Sequence, residues 1–448
     1  MSETARLTRG SIRGHLVTQT TPMVLGVAAL MSIGLVDAYF VGQLGPTQLA
    51  AISFIFPITV ALTSMGVGVM VGINSVVARA LGEGSRERAE ELANLGMIFA
   101  VALGAVMGLA IYLLEAPLFA LMNADSDTLP FIRAYMRPFA LGFPLLMALM
   151  GVNGTLRGQG EARKTSYVSF SYAAANWVLD PILITGAFGS DGFGVAGAAY
   201  ATLIGWAIAV LFGVWLIRRT ALRFALDRAL RADDRRESLI ALTRVAGPAA
   251  FSSSINPLGL AVLTALIAVE GQSAVAGFGA AGRLQSFAVV PLLGLSGSIG
   301  AIVGQNWGAS QPDRARSAMR YAFGFCLAYG LAVAVLLYAF ADRFAAIFTD
   351  DPAVIDQFAL YITIAAWGYG GFGLLITANG ILNSVDKAGL ALLQSAARVF
   401  LIMLPFAWLM RPLLGESAVY GAELVANLAG GGLAALLAWR VLAKNQTG

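Results

Sequence analysis

The chain has 448 residues, 58% of them hydrophobic and only 12% charged, with a net charge of +4. A soluble chain carries about 25% charged residues, so this composition excludes a water-soluble domain and leaves most of the surface to face lipid. The single cysteine, Cys326, and the single histidine, His15, exclude an intrachain disulfide, a CxxC metal site and histidine-based zinc or catalytic arrangements.

A membrane admits α-helices or closed β-barrels. Barrel strands alternate polar and apolar residues over about 10 positions, whereas the runs here are apolar throughout, as from Ala322 to Phe340. The first 19 residues are polar and basic (Arg6, Arg9, Arg13). The span that follows, 20–44, is too long for the apolar core of a signal peptide and contains Asp37, so it is a retained first helix. Pro22 lies below Asp37 and is the predicted hinge of that helix. Further helices are predicted at 52–80, 92–115, 131–157, 164–188, 194–218, 239–268, 274–307, 314–340, 354–382, 389–411 and 419–442. Each is long enough for one crossing, which takes about 20 residues. The stretch 219–238 between the sixth and seventh is charged, either an amphipathic strap or a solvated loop.

Loop charge sets orientation. With the N-terminus inside, 23 of the 29 Lys and Arg residues fall on the inner side, 4 fall outside, and Arg283 and Arg398 stay within spans. Both termini are therefore expected in the cytoplasm. The same basic loops can also meet anionic lipid headgroups.

A shift of 226 residues relates the two halves. It matches Pro22 with Pro248, Gly68 with Gly294, Arg88 with Arg314, Gly104 with Gly330, and Asn153-Gly154 with Asn379-Gly380. Each half holds an even number of helices, so both point the same way. The expectation is an all-α integral membrane protein of twelve transmembrane helices in two six-helix lobes. An N-lobe (1–218) and a C-lobe (239–448) are joined by the linker 219–238 and related by a pseudo-twofold axis along the membrane normal.

Ionisable residues within spans cost about 2.5–3.5 kcal/mol each and are functional candidates by default. The first half has Asp37 and Asp180; the repeat puts Leu263 and Phe406 at the matching positions, so the acids are expected on one side only. Asn176 lies one turn before Asp180 on the same helix face. Pro181 frees a carbonyl in the preceding turn, and Thr202 adds a hydroxyl. Carboxylate, amide and hydroxyl oxygens suit a hard cation, and two close carboxyls also suit protons, exchanged as a coupled unit. That is the chemistry of an antiporter. Arg283 and Arg398 either counter the acids, contact an anionic substrate, or pair structurally. There is no Gly-Lys dipeptide, hence no Walker A motif, and no nucleophile–base pair stands out. An enzyme is not expected; transport would draw on an ion gradient.

The segments VDAYFVGQLG (36–45), ALGEGSRERA (80–89), NGTLRGQGEARK (153–164), NWVLDPILITG (176–186), GVAGAAYAT (194–202) and VGQNWGASQPDRA (303–315) resemble the multidrug and toxic compound extrusion (MATE) transporters. The resemblance implies an exporter of cationic or amphipathic organic compounds that exchanges them for H⁺ or Na⁺. It implies coupling at Asp37, Asn176, Asp180 and Thr202, and a substrate cavity near Asn153, to which Asn256 of the seventh helix is added. NorM-type members carry acidic cation ligands in the seventh and tenth helices; the stretches FSSSINPLGLAVLTALIA (251–268) and YITIAAWGYGGFGLLITANGILN (361–383) of those helices have no acid here, which places the chain closer to the DinF-like branch. No cofactor and no nucleic-acid partner are expected. A monomer in a bacterial inner membrane is expected, the source being inferred from the Arg-rich, Lys-poor composition. A lipid-linked oligosaccharide flippase of the same superfamily is the alternative.

Overall fold

The computed structural model describes residues 5–122, 125, 127–189, 191–222 and 235–444. Most of the predicted linker 219–238 thus lies outside the described residues. Among the described residues, ten helices are long and apolar enough to cross a membrane, and the pair Gln272–Ala288 and Val290–Gly308, bent by 44°, is long and apolar enough for an eleventh when taken together. The twelfth predicted helix is Ala162–Thr185, the fifth in order. It stands outside that apolar set because it carries Ser166, Ser169, Ser171, Asn176 and Asp180.

In the first half the helices are Ile12–Gly42, Pro46–Gly82, Arg86–Leu121, Leu129–Gly158, Ala162–Thr185 and Val195–Ile217. In the second half the seventh is Arg235–Ile267 and the eighth is the bent pair. The rest are Pro312–Ala339, Pro352–Ser384, Ala388–Leu414 and Glu416–Ala443. The first helix begins at Ile12, not at 20, so part of the basic N-terminus is helical. Ile12 and Leu16 supply the reason: both are buried in an apolar cluster with Leu295, Ile299 and Ile302, which offsets the cost of ordering a charged turn.

Chain contacts separate two compact units, Leu25–Ala250 on one side and Arg6–Val24 with Phe251–Gly448 on the other. Their limits differ from the predicted lobes 1–218 and 239–448. The start of the first helix belongs to the second unit, and the start of the seventh belongs to the first. Two helix crossings account for this. A methyl group on Gly68 would come within 2.5 Å of the Ala250 nitrogen. One on Gly294 would come within 2.9 Å of the Val24 nitrogen. Backbones this close require small residues at the contact. Gly68 and Gly294 are repeat partners, and the same shift carries Val24 onto Ala250.

The repeat governs packing inside each unit as well. In the first, a methyl on Gly104 would lie 2.8 Å from the Pro144 Cα; in the second, one on Gly330 would lie 2.4 Å from the Gly370 Cα. Both residues of each contact are repeat partners, so the third and fourth helices meet as the ninth and tenth do. The N-terminal segment is pinned to the second unit: Leu7 N donates to Gln305 Oε1 at 3.1 Å, and Arg314 Nη1 donates to the Gly10 carbonyl at 2.9 Å.

Candidate functional site

The fifth helix is built around Asn176 and Asp180, one turn apart and both 0% exposed. Pro181 has no N–H to donate to the Trp177 carbonyl. Just beyond, the Pro181 carbonyl takes the Thr185 hydroxyl at 2.8 Å. The indole Nε1 of Trp177 donates to Ser32 Oγ at 3.0 Å, tying the fifth helix to the first. Asp37 lies in the last two turns of the first helix and is half-buried.

The sixth helix approaches from the other side. A methyl on Gly197 would lie 1.9 Å from the Leu183 carbonyl oxygen, so only glycine lets the start of this helix rest on the end of the fifth. That approach positions Thr202, which is buried.

Asp37 and Asp180 face one another as a directly interacting pair. Thr202 lies within reach of two phenols, Tyr135 of the fourth helix and Tyr172 of the fifth, and both phenols lie in the field of both carboxyls. Trp206 packs behind them, its ring 5.5 Å from Phe139 and 6.5 Å from Tyr172. Asp37 Oδ1, both oxygens of Asp180 and both polar side-chain atoms of Asn176 are buried without a hydrogen-bond partner. Buried polar atoms are nearly always paired, so the four oxygens among these five atoms are suited to a proton or a hard cation. Among the described residues no three His, Cys, Asp or Glu side chains converge; any metal ion here would use two carboxylates and neutral oxygens.

Thus the structure brings together Asp37, Asn176, Asp180 and Thr202. It adds Tyr135 and Tyr172, which the sequence reading missed. The other expected residues lie elsewhere. Asn153 is buried in the fourth helix with its Oδ1 unpaired. Pro22 lies inside the unbroken first helix, just before the residue where that helix passes from one unit to the other.

Asn256 belongs to a second polar cluster, within the second unit. Its Oδ1 accepts from Arg398 Nη1 at 2.8 Å, and Asn427 Oδ1 accepts from Arg398 Nη2 at 2.6 Å. Arg398 is only 2% exposed and sits on a π-helical stretch, Ala397–Met403, within the eleventh helix; such stretches occur often at functional sites. Arg283 is exposed.

The expectation that acids occur on one side only is corrected here. Glu423 of the twelfth helix is 2% exposed, and its carboxyl meets Tyr361 Oη at 2.6 Å and Gln285 Nε2 at 2.5 Å. The repeat comparison missed it because it followed only the partners of Asp37 and Asp180. Glu423 comes just after Gly421-Ala422, so its partner in the first half is Ala199, an apolar position.

Comparison with known proteins places this geometry in context. The family model MatE matches the chain twice, at 22–182 and 248–409, two segments whose starts are offset by the same shift as the repeat. The chain is 34% identical over 428 residues to the FAD transporter of Shewanella oneidensis, covering 95% of this chain and 94% of the relative. It is 24% identical over 413 residues to the multidrug export protein MepA of Staphylococcus aureus, covering 91% and 89%. A crystal structure of the Vibrio cholerae MATE transporter VcmN in the bent form superposes with a TM-score of 0.90 at 29% identity, covering 97% of each chain. The outward-facing conformation of a multidrug resistance MATE family transporter gives a TM-score of 0.93 at 24% identity over 100% of both chains, a likeness of fold.

Proposed function

The chain belongs to the MatE family and is a multi-pass membrane transporter, and from this premise we propose that it exports small organic compounds in exchange for protons, or Na⁺, taken up at Asp37 and Asp180. One observation carries this reading: two carboxyls from different membrane helices meet in a polar cluster whose remaining members are neutral. Two close carboxyls disfavour double ionisation, so such a pair favours taking up one positive charge. Asn176 and Thr202 supply further oxygens, Tyr135 and Tyr172 hold the surrounding hydrogen bonds, and Pro22 lets the first helix bend as the occupancy of Asp37 changes. The basic residues of the loops support a cytoplasmic position for both termini.

For the substrate, a cationic or amphipathic compound fits the acidic character of the cluster and the likeness to MepA. A flavin dinucleotide is the second reading, favoured by the 34% identity to the FAD transporter along almost the whole chain. No observation above favours the lipid-linked oligosaccharide alternative.

Purified protein in proteoliposomes tests both points, with ethidium and FAD as probes and with a pH gradient and a Na⁺ gradient imposed separately. Gradient-driven exchange should be seen with the wild type and lost in Asp37→Asn, while the variant keeps its fold. Unchanged exchange in the variant would reject the coupling site. A response to Na⁺ alone would reject protons as the coupling ion, and movement of FAD without ethidium would select the second substrate reading.

A further inference from the structure

The hydrogen bonds around Glu423 contain one proton more than an ionised carboxylate allows. Three contacts close a ring. Glu423 Oε2 meets Tyr361 Oη at 2.6 Å, Glu423 Oε1 meets Gln285 Nε2 at 2.5 Å, and Tyr361 Oη meets Gln285 Oε1. Each contact needs one hydrogen. Within the ring the Gln285 amide supplies one and the Tyr361 hydroxyl one. The third must come from Glu423. Exchanging the nitrogen and oxygen of the Gln285 amide, an assignment made from the network itself, leaves the same count: the amide then serves Tyr361, Tyr361 serves Glu423, and the two facing oxygens still need a carboxyl proton between them.

A second observation concerns the countercharge. Arg398 is buried, yet its partners are neutral: Nε and Nη2 reach Asn427 Oδ1 at 3.1 and 2.6 Å, and Nη1 reaches Asn256 Oδ1 at 2.8 Å. Among the described residues no ion pair joins this cation to Glu423. Glu423 and Asn427 are four residues apart on one helix face, a separation of about one turn or 5.4 Å. A guanidinium on Asn427 is therefore one helical turn from Glu423.

A third observation is positional. The shift that relates the two MatE segments carries Tyr135 onto Tyr361 and Tyr172 onto Arg398. The two polar clusters thus use equivalent places in the two repeats. Where the first unit has a second acid and a tyrosine, the second unit has an acid and a fixed positive charge.

From these we infer that Glu423 is a second proton-binding site, lying in the second unit and occupied in this structure, with Arg398 placed to compensate the charge left when the proton leaves. On release the carboxyl O–H bond breaks, the proton passes to solvent water, and the electron pair stays on the carboxylate. Tyr361 and Gln285 then each donate one hydrogen bond to it, and the guanidinium turns from Asn427 toward it. The titratable and charged groups around it are Tyr361 and Tyr369 from the tenth helix and Arg398 from the eleventh; Gln285 from the eighth bonds it directly, and Tyr420 packs on the Tyr361 ring. Other charges nearby are engaged or turned outward: Arg411 pairs with Glu270 at 2.9 Å, Glu416 accepts from Gln357 at 3.0 Å, and Arg283 is exposed.

Infrared difference spectroscopy between acid and alkaline pH, on the full chain in lipid, tests the inference. The background is Asp37→Asn with Asp180→Asn, so that the first-unit pair does not contribute and a failure there leaves this result readable. That background should contain a neutral-carboxyl component that Glu423→Gln removes, the other carboxyls cancelling when the two spectra are subtracted. Gln285→Leu removes a hydrogen-bond donor from the ring and should move the band to higher wavenumber, so the assignment survives even if Glu423→Gln does not fold. Absence of a component that Glu423→Gln removes, together with a spectrum that Gln285→Leu leaves unchanged, overturns the inference.

Discussion

Tyr361 stands where the repeat shift carries Tyr135, and each phenol lies near a carboxyl within the spans: Tyr361 meets Glu423 at 2.6 Å, and Tyr135 lies in the field of Asp37 and Asp180. Two halves with little side-chain identity at their functional positions have kept a tyrosine in the same place. The phenol is apolar enough to lie within a span and carries one hydroxyl to bond a carboxyl in either protonation state.

Tyr135→Phe and Tyr172→Phe should each slow gradient-driven exchange. Loss of a hydrogen bond to the neutral Thr202 costs about 0.5–1.5 kcal/mol, which amounts to about two- to tenfold in rate. The variants keep the ring and its packing on Phe139 and Trp206, so thermal unfolding should change little. Initial rates in proteoliposomes check this, and wild-type rates in both variants would leave the phenols no part in the coupling cluster.

Asp180→Asn should behave differently from a core deletion. Both Asp180 oxygens are buried without a partner, beside another acid. Exchanging that carboxyl for a neutral amide of the same shape removes an ionisable group from a buried position. The unfolding temperature of the detergent-solubilised protein at neutral pH is expected to hold or to rise by about 2–4 °C, the shift for about 1 kcal/mol in a chain of 150–250 residues and an upper figure here. Exchange should nevertheless be lost. A marked fall in unfolding temperature would mean that the pair serves mainly to hold the first and fifth helices together.

Gly197→Ala and Gly330→Ala should each destabilise the protein. The added methyl would meet the Leu183 carbonyl oxygen at 1.9 Å in one case and the Gly370 nitrogen at 2.3 Å in the other. Overpacking of this kind costs about 1–3 kcal/mol. Gly432→Ala, with open space around the added carbon, serves as the control and should be neutral. Gly197→Ala should also slow exchange, because it moves the helix that carries Thr202; Gly330→Ala, in the other unit, should act on stability alone. Thermal unfolding alongside transport separates the two effects.

Several site residues were legible in the sequence because burying a charge in lipid is costly. Asp37 and Asp180 stand out against apolar runs, and Asn176 and Thr202 followed from helix spacing and family resemblance. Tyr135, Tyr172 and Tyr361 did not stand out, since tyrosine is common in membrane helices and nothing local distinguishes one that faces a carboxyl. Glu423 was visible as an acid within a span, but its partner in the first half is Ala199, so comparing only the positions of the first-half acids passed over it. Arg398 was noted with structural pairing left open; its bonds to Asn256 and Asn427 come from three separate helices and have no signature in any one of them.

The one-dimensional pattern was enough to establish residence in a membrane, the run of helices and the doubling of the chain, because each depends on local apolar length or on a constant offset along the sequence. The composition of the compact units, the Asp37–Asp180 contact and the closed ring at Glu423 depended on which helix faces meet. Close backbone approach at Gly68 and Gly294 decides that, and these contacts, with Ala250 and Val24, join residues far apart in the chain, where local pattern carries no information.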